Sequence, residues 1–335
     1  MASAIVYGNS REETAMFSPM GGRRTIAAMT AFWVMAAGGA AAQAYPDRPI
    51  DMIVPATPGS SADILGRVLT EEMAVKLGQR FVIYNKPGAG GILGTAEVSR
   101  AKPDGYTLMH VAAYSVTAQP LTERQAGYSA QSFVPICQTF KNDQVIVTRP
   151  NSYKTLAELV AASKAKSGGL DFGSPGLGTI PHLAMAEFSQ ITKVPFNHVP
   201  FKGPAESIQM TLGGQIDFAV APLTAASGSG LAMPALFAEK RNPSIPDVPT
   251  VKEQGFDVSP LSIGGMFAPA GLPAEIKAKL ESSCTTAVQS EPFQRIVKRT
   301  LQPADYFQDS AGFAANLAKD VEAKRRLLTS LGMVK

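Results

Sequence analysis

The sequence predicts an α/β protein of two lobes, each a mostly parallel sheet covered by helices. Three observations predict it. Apolar runs of strand length alternate with amphipathic runs of helix length, the links between them are short, and the alternation is completed twice, before and after Asn142. Strand, helix and strand joined by short links form the parallel crossover unit. With 335 residues, 45% hydrophobic and 17% charged, two domains is the natural division.

The elements follow in order. IDMIVPA (50–56) is a strand. SADILGRVLTEEMAVKLG (61–78) is a helix, because Ile64, Leu65, Val68, Leu69, Met73 and Leu77 fall on one stripe. FVIYNK (81–86) is the second strand, GGILGTAEVSRA (90–101) the second helix, closed by Pro103-Asp104-Gly105, and YTLMHVA (106–112) the third strand. The middle repeats the alternation with QVIVTRP, TLAELVAASKAK, LDFGSP, IPHLAMAEFSQIT, NHVPF, AESIQMTLGG and QIDFAVA. The end turns helical, in PAEIKAKLESSCTTAV, EPFQRIVKRT and AGFAANLAKDVEAKRRLLTSLG. No fixed-period repeat or low-complexity linker separates the halves. The expected lobes are therefore 45–142 plus 262–335, and 143–261, joined by strands that cross near Asn142 and between Leu261 and Met266.

The N-terminus predicts export. Arg23-Arg24 precede TIAAMTAFWVMAA, an apolar run too short to span a bilayer, and Ala40-Ala41-Ala42-Gln43-Ala44 supplies a small-residue cleavage site. Residues 1–44 read as a signal peptide, with Met20 an alternative start. The formal charge of +4 is spread along the chain, with no run of like charges that would suggest a nucleic-acid arm. Lys324-Arg325-Arg326 reads as a solvated helix face. Cys137 and Cys284 read as two buried single thiols; export permits a disulfide, but spacing alone does not bring the two together.

Motif chemistry argues against an enzyme. The chain has three histidines, no G-x-S-x-G elbow, and no C-x-x-C or H-x-x-x-H metal spacing. GAGGILG (88–94) fails the dinucleotide template at Leu93 and lacks the P-loop lysine. No catalytic residue, metal or cofactor is expected. What remains is a set of Gly- and Ser-rich turns at strand ends that open helices: Gly59-Ser60-Ser61 with Asp63, Pro87-Gly88-Ala89-Gly90-Gly91, and Gly173-Ser174-Pro175-Gly176-Leu177-Gly178-Thr179. Ligands of parallel α/β sheets sit beyond the carboxyl ends of the strands, and a helix N-terminus offers N–H groups and partial positive charge to an anion. The expectation is a cleft that clamps a carboxylate between two such turns, with Ser60 and Thr179 also capping their helices.

The chain resembles a family on the pieces YPDRPIDMIVPATPGSSADILGRVL, NKPGAGGILGTAEVSRAKPDGYTL, GSPGLGTIPHLA, HVPFKGPAESIQMTLGGQIDF, PSIPDVPTVKEQGF and MFAPAGLPAEI, in that order. These are similar to the Bug-type or TctC-type receptors of tripartite tricarboxylate transporters. The resemblance covers essentially the whole chain after Ala44. It implies a type II, Venus-flytrap periplasmic binding protein, monomeric and without cofactor, that closes on a small carboxylate and delivers it to a membrane permease. It puts Thr57, Gly59, Ser60, Ser61 and Asp63 on one jaw, Ser174, Gly176, Gly178, Thr179 and His182 on the other, and Asp217 as an acid facing the cleft. Gly90 and Gly91 join the candidate ligand contacts.

Two departures bear on the ligand. Where the family has a bulky aromatic and a second glycine in the first turn, this chain has Ala56 and Ser60. Ile263-Gly264-Gly265 lacks the aromatic that usually precedes FAPAG. Losing the wall at Ala56 is expected to widen the cleft toward a bulkier, aromatic carboxylate. Of the remaining candidates, His110 reads as core, His198 as packing or hinge, and Lys202 as a solvated loop lysine or a counter-charge. An exported hydrolase would need Ser60 or Ser61 to meet His182 and Asp217, and nothing in their spacing brings them together. A ligand sensor docking on a signalling partner is the other alternative.

Overall fold

The structure, a computed structural model, describes residues 45–334; the expected leader lies outside the described residues. The first sheet begins with β1 (Ile50–Val54), α1 (Ser61–Leu77), β2 (Phe81–Asn85), α2 (Ile92–Ser99) and β3 (Thr107–Ala112). The short helices α3 (Tyr114–Thr117) and α4 (Gln119–Thr122) lead to β4 (Phe133–Lys141). The second sheet takes β5 (Gln144–Thr148), α5 (Leu156–Ala165), β6 (Leu170–Ser174), α6 (Ile180–Thr192) and β7 (Phe196–Pro200). It continues with α7 (Pro204–Leu212), β8 (Phe218–Pro222), α8 (Leu223–Ala226) and β9 (Ala232–Phe237). The chain returns through β10 (Ile263–Pro269) to the first sheet and ends in α9 (Ala274–Val288), α10 (Glu291–Arg299) and α11 (Ser310–Ser330).

The sheets have orders β2-β1-β3-β10-β4 and β7-β6-β8-β5-β9, the same topology used twice. In each, the strand just past the crossing runs against its neighbours: β10 is antiparallel to β3 and β4, and β5 to β8 and β9. The direction follows from the connection. A chain that leaves one sheet at a strand's carboxyl end enters the other sheet from the cleft side, and so runs away from the cleft. The remaining strands of each sheet point their carboxyl ends at the cleft, where ligands of such sheets sit.

The inner strands of each sheet are buried on both faces, as expected where helices cover both sides. Alternation in β1 sends Ile50, Met52 and Val54 to a cluster with Leu65, Leu69 and Met73 of α1, while Ile53 joins Met109, Val111, Phe267 and Phe313 on the other face. In β8, Phe218 and Val220 pack with Phe172 and Phe188, and Ala219 and Ala221 with Val145 and Val147.

Two sequence expectations are corrected by this packing. Cys137 of β4 and Cys284 of α9 form a disulfide, with Cα atoms 6.6 Å apart. α9 lies on the face of the first sheet that Cys137 points to, a proximity that their separation of 147 residues conceals. Lys324 is not part of a solvated face: it is buried with Asp320, both side chains meeting the Thr117 hydroxyl of α3. Burial holds the Lys324 ammonium below its ordinary pKa despite the neighbouring carboxylate.

Candidate functional site

A cavity of about 930 Å³ lies between the two sheets. Pro55 and Ala56 follow β1, Ala112 ends β3, Pro175 follows β6, Phe201 follows β7 and Pro222 ends β8, so its walls are the carboxyl ends of both sheets. The volume suits one small organic ligand. Three helix-opening turns border it: Ala56, Thr57, Ser60 and Ser61 before α1, Gly90 and Gly91 before α2, and Gly176, Gly178 and Thr179 before α6.

The first and third turns are built alike. Gly59 and Gly178 both take left-handed backbone, at φ +82° and +70°, a conformation that favours glycine. Each donates its N–H to the side chain four residues on, in the first turn of a long helix. Gly59 donates to Asp63 Oδ2 at 2.9 Å, and Gly178 to His182 Nδ1 at 3.1 Å. Asp63 is further fixed by Arg67 at 2.7 Å and Asn85 at 2.9 Å. Burial pushes its carboxyl up, but the Arg67, Gly59 and Asn85 hydrogen bonds outweigh that and hold it below the ordinary value. Among the described residues, His182 has no such charge partner. Its ring stacks on His198 with centroids 4.2 Å apart, and burial brings its pKa down to about 4, so it is a neutral acceptor at pH 7. His198 falls to about 3 through burial and the neighbouring His182, and its Nε2 is hydrogen-bonded to Ser174 Oγ at 2.7 Å.

The cap residues differ. Ser60 accepts from Asp63 N–H at 3.3 Å, whereas Thr179 caps nothing and donates its hydroxyl to Gly176 O at 2.7 Å. Ser61, buried at the cavity wall, has a hydroxyl with no hydrogen-bond partner among the described residues.

The sequence candidates therefore divide. Ala56, Thr57, Ser60, Ser61, Gly90, Gly91, Gly176, Gly178 and Thr179 line the cavity. Gly59, Asp63, Ser174 and His182 are not among its lining residues; they shape the turns from behind, through the Gly59–Asp63 and Gly178–His182 bonds and through Ser174 Oγ, which donates to Gly176 O at 3.2 Å. Asp217 is a correction. It stands at the amino end of β8, away from the cleft, where it accepts from Asp171 N–H at 2.8 Å and pairs with Lys166 at 2.9 Å. Its partners are thus a lysine and a backbone donor, and it is not an acid of the cleft. The hydrolase constellation is likewise not assembled: neither His182 nor Asp217 bonds to Ser60 or Ser61.

His110 is core, bridging Ala62 O and Thr139 Oγ1. Lys202 lies exposed on the cavity rim.

The missing aromatics are supplied from elsewhere. Tyr114, Phe140 and Phe201 line the cavity, so the loss at Ala56 does not strip it of aromatic wall. Phe140 lies over the bare backbone of Gly264, where an added Cβ would meet the ring at 2.0 Å. Sequence reasoning also missed Gln119, whose Nε2 donates across the cleft to Leu177 O at 3.2 Å, together with Asn142, Gln144 and Met333. The crossing between lobes brings Asn142 and Gln144 to the cavity, α4 brings Gln119 and the end of α11 brings Met333, and no local pattern marks them.

Residues 65–333 match the family model described as the tripartite tricarboxylate transporter family receptor, TctC. The UPF0065 protein in the gbd 5′ region of Cupriavidus necator is 34% identical over 333 residues, covering 93% of this chain and 97% of that protein. Protein BugT of Bordetella pertussis is 33% identical over 260 residues, covering 75% of this chain and 79% of BugT. Among solved structures, the periplasmic binding protein BugD superposes with a TM-score of 0.80 at 29% identity, over 87% of this chain and 100% of BugD. The repeated sheet topology, the cavity between the sheets and these likenesses agree, and the chain belongs to the TctC, or Bug, family of solute-binding receptors of tripartite tricarboxylate transporters.

Proposed function

We propose that the protein, exported and freed of residues 1–44, captures a small carboxylate with an apolar or aromatic body and hands it to the membrane permease of a tripartite transporter. It works as a monomer without cofactor or chemistry of its own. The carried observation is the meeting of two equivalent helix-opening turns at one cavity, with the buried Ser61 hydroxyl unpartnered by any described residue. The N-terminal ends of α1 and α6 face the ligand with partial positive charge, and no acidic side chain of the two turns lines the cavity. Pro55, Ile92, Val111, Phe140, Phe201 and Met333 favour an apolar body behind the carboxylate. Lobes of 45–142 plus 262–335 and of 143–261 swing about the two crossings, and the ligand stabilises the closed form through contacts made to both jaws at once.

The test is the melting temperature of the protein against mono-, di- and aromatic carboxylates. A ligand at a hundred times its Kd adds about 2.7 kcal/mol, a rise of about 5 °C or more. Ser61→Ala should weaken the best ligand about 10- to 100-fold, the effect of losing a hydrogen bond to a charged group, while leaving the unliganded melting temperature nearly unchanged. A flat panel from a preparation shown by native mass spectrometry to carry no ligand would sink the carboxylate reading.

A further inference from the structure

α11 belongs to the first lobe along most of its length. Ser310 Oγ donates to Pro135 O, Asn316 bonds to Gln138, Phe313 packs on Phe267 with centroids 4.9 Å apart, and Asp320 and Lys324 are sealed against Thr117. Its last turns leave that lobe and reach the other. Leu328 is fully buried between Ala118 of the first lobe and Leu183 of α6. Two residues on, Ser330 and Gln190 of α6 exchange hydrogen bonds, Gln190 Nε2 to Ser330 O at 3.4 Å and Ser330 Oγ to Gln190 Oε1 at 3.3 Å.

The helix then stops in a defined way. Gly332 takes left-handed φ of 66° and donates to Thr329 O at 3.0 Å, while Met333 N–H reaches back to Leu328 O at 2.8 Å. This pair of bonds is the Schellman stop, which reverses the chain over the end of its own helix. The reversal sets Gly332 and Met333 on the wall of the cavity, and joins Met333 to the apolar cluster around Leu328 and Leu183. The element that spans the lobes therefore also touches the space a ligand fills, and it grips the helix whose first turn forms the second jaw.

We infer that residues 327–333 form a clasp that holds α6 to the first lobe in the closed state, and that Met333 is a specificity-determining residue against the apolar end of the ligand. Closure and ligand fit are coupled through one turn. Opening the cleft separates Leu328 from Leu183 and withdraws Met333 from the cavity. The Met333 part rests on the ligand reading proposed above; the clasp does not.

Two measurements separate these parts. The first needs no ligand: amide hydrogen exchange of α6 in the intact chain and in a variant ending at Arg326, which lacks the whole of the clasp. The clasp predicts faster exchange around Leu183 and Gln190, by roughly tenfold, with the strands of the second sheet unaffected. Unchanged exchange in α6 overturns the clasp. The second is calorimetric titration with propionate, octanoate, benzoate and phenylacetate. Gln190→Ala should weaken all four by a common factor, because it lowers the closed population without touching the cavity. Met333→Ala should instead change their ranking, costing octanoate and phenylacetate about fourfold relative to propionate, the worth of about one methylene contact. Binding with the ranking intact overturns the role of Met333. If none of the four binds the unaltered protein, the carboxylate reading and the Met333 assignment fall together, and the exchange result alone judges the clasp.

Discussion

The two jaws solve one backbone problem with different chemistry. Each needs a side-chain acceptor four residues past a left-handed glycine, so that the turn keeps its shape at the mouth of a helix. The first jaw uses a carboxylate, Asp63, neutralised by Arg67 and held by Asn85. The second uses the neutral imidazole of His182, backed by His198. An acceptor is thus what the geometry requires, and charge is optional. A site for an anion gains from the neutral choice, since a further carboxylate, beyond Asp63 behind the first turn and Glu123 in the cavity lining, would add repulsion unless a cation came with it. The lobes behind the jaws differ in the same spirit: the first is tied by a disulfide and a buried ion pair, while the second relies on packing, hydrogen bonds and ion pairs that are open to solvent.

The largest expected effect separates the lobes. The Cys137–Cys284 disulfide closes a long loop and lies wholly within the first lobe. Its removal, by the paired change Cys137→Ser and Cys284→Ser, should cost about 5 kcal/mol by the unfolded-chain account. Because the second lobe has no share in it, calorimetry should show one transition splitting into two, with hydrogen exchange rising first in β4 and α9. A single transition shifted as a unit would mean that the lobes unfold together and that the contrast between them has no thermodynamic weight.

Next comes the first jaw. Asp63→Ala leaves the Gly59 N–H without its acceptor, removes one of the two acceptors of the Asn85 amide, the other being Ala56 O, and leaves Arg67 without its closest carboxylate. The expected cost is about 3 kcal/mol, roughly 6 °C in Tm. Asp63→Asn keeps an acceptor and should recover about half. Equal losses in the two variants would show that Asp63 works by its charge alone, against the common design of the jaws.

Much of this was legible in the sequence, unevenly. The helix stripe of Leu65, Leu69 and Met73 and the alternation of β1 read directly, because side-chain periodicity is a local property. The Gly- and Ser-rich turns were legible as helix openings at strand ends, and the structure puts two of them on facing walls. Asp217 was misread for a reason that the sequence contained: it precedes an apolar run, so it stands at the amino end of its strand, and clefts of such sheets lie at the other end. Gln119, Phe140 and Met333 carried no local signal. Their places depend on the crossing of the chain and on the stop of α11, and the pairing of Cys137 with Cys284 depends on which helix covers which face. His182 carried half a signal: its spacing from Gly178 repeats that of Asp63 from Gly59, which becomes readable only once both turns are recognised as equivalents.

The smallest effect, and the sharpest on the comparison, is in pH. The two acceptors titrate in different windows. His182 has its pKa depressed from the usual 6.5 to about 4. The unfolded chain therefore binds a proton between those values that the folded chain refuses, and stability is complete above pH 6.5 and falls as pH drops toward 4. Asp63 is lowered from 3.8, so its contribution stays intact across that window and is lost only in stronger acid. At pH 5 the second jaw is already weakened and the first is not. Allowing for solvent at the His182–His198 pair, the fall from pH 6.5 to 4 should be about 2 kcal/mol. His110 and His198 are depressed in the same sense, so part of the slope persists in any single variant. His182→Asn is the informative change: its side-chain carbonyl takes the place of Nδ1 as acceptor for Gly178 N–H, and it does not titrate. Thermal melts from pH 7 to 4 should give a flatter curve for His182→Asn than for the unaltered protein, with the two close together at pH 7. Superimposable curves would show that the imidazole is not what weakens in acid, and the distinction between the jaws would then rest on geometry alone.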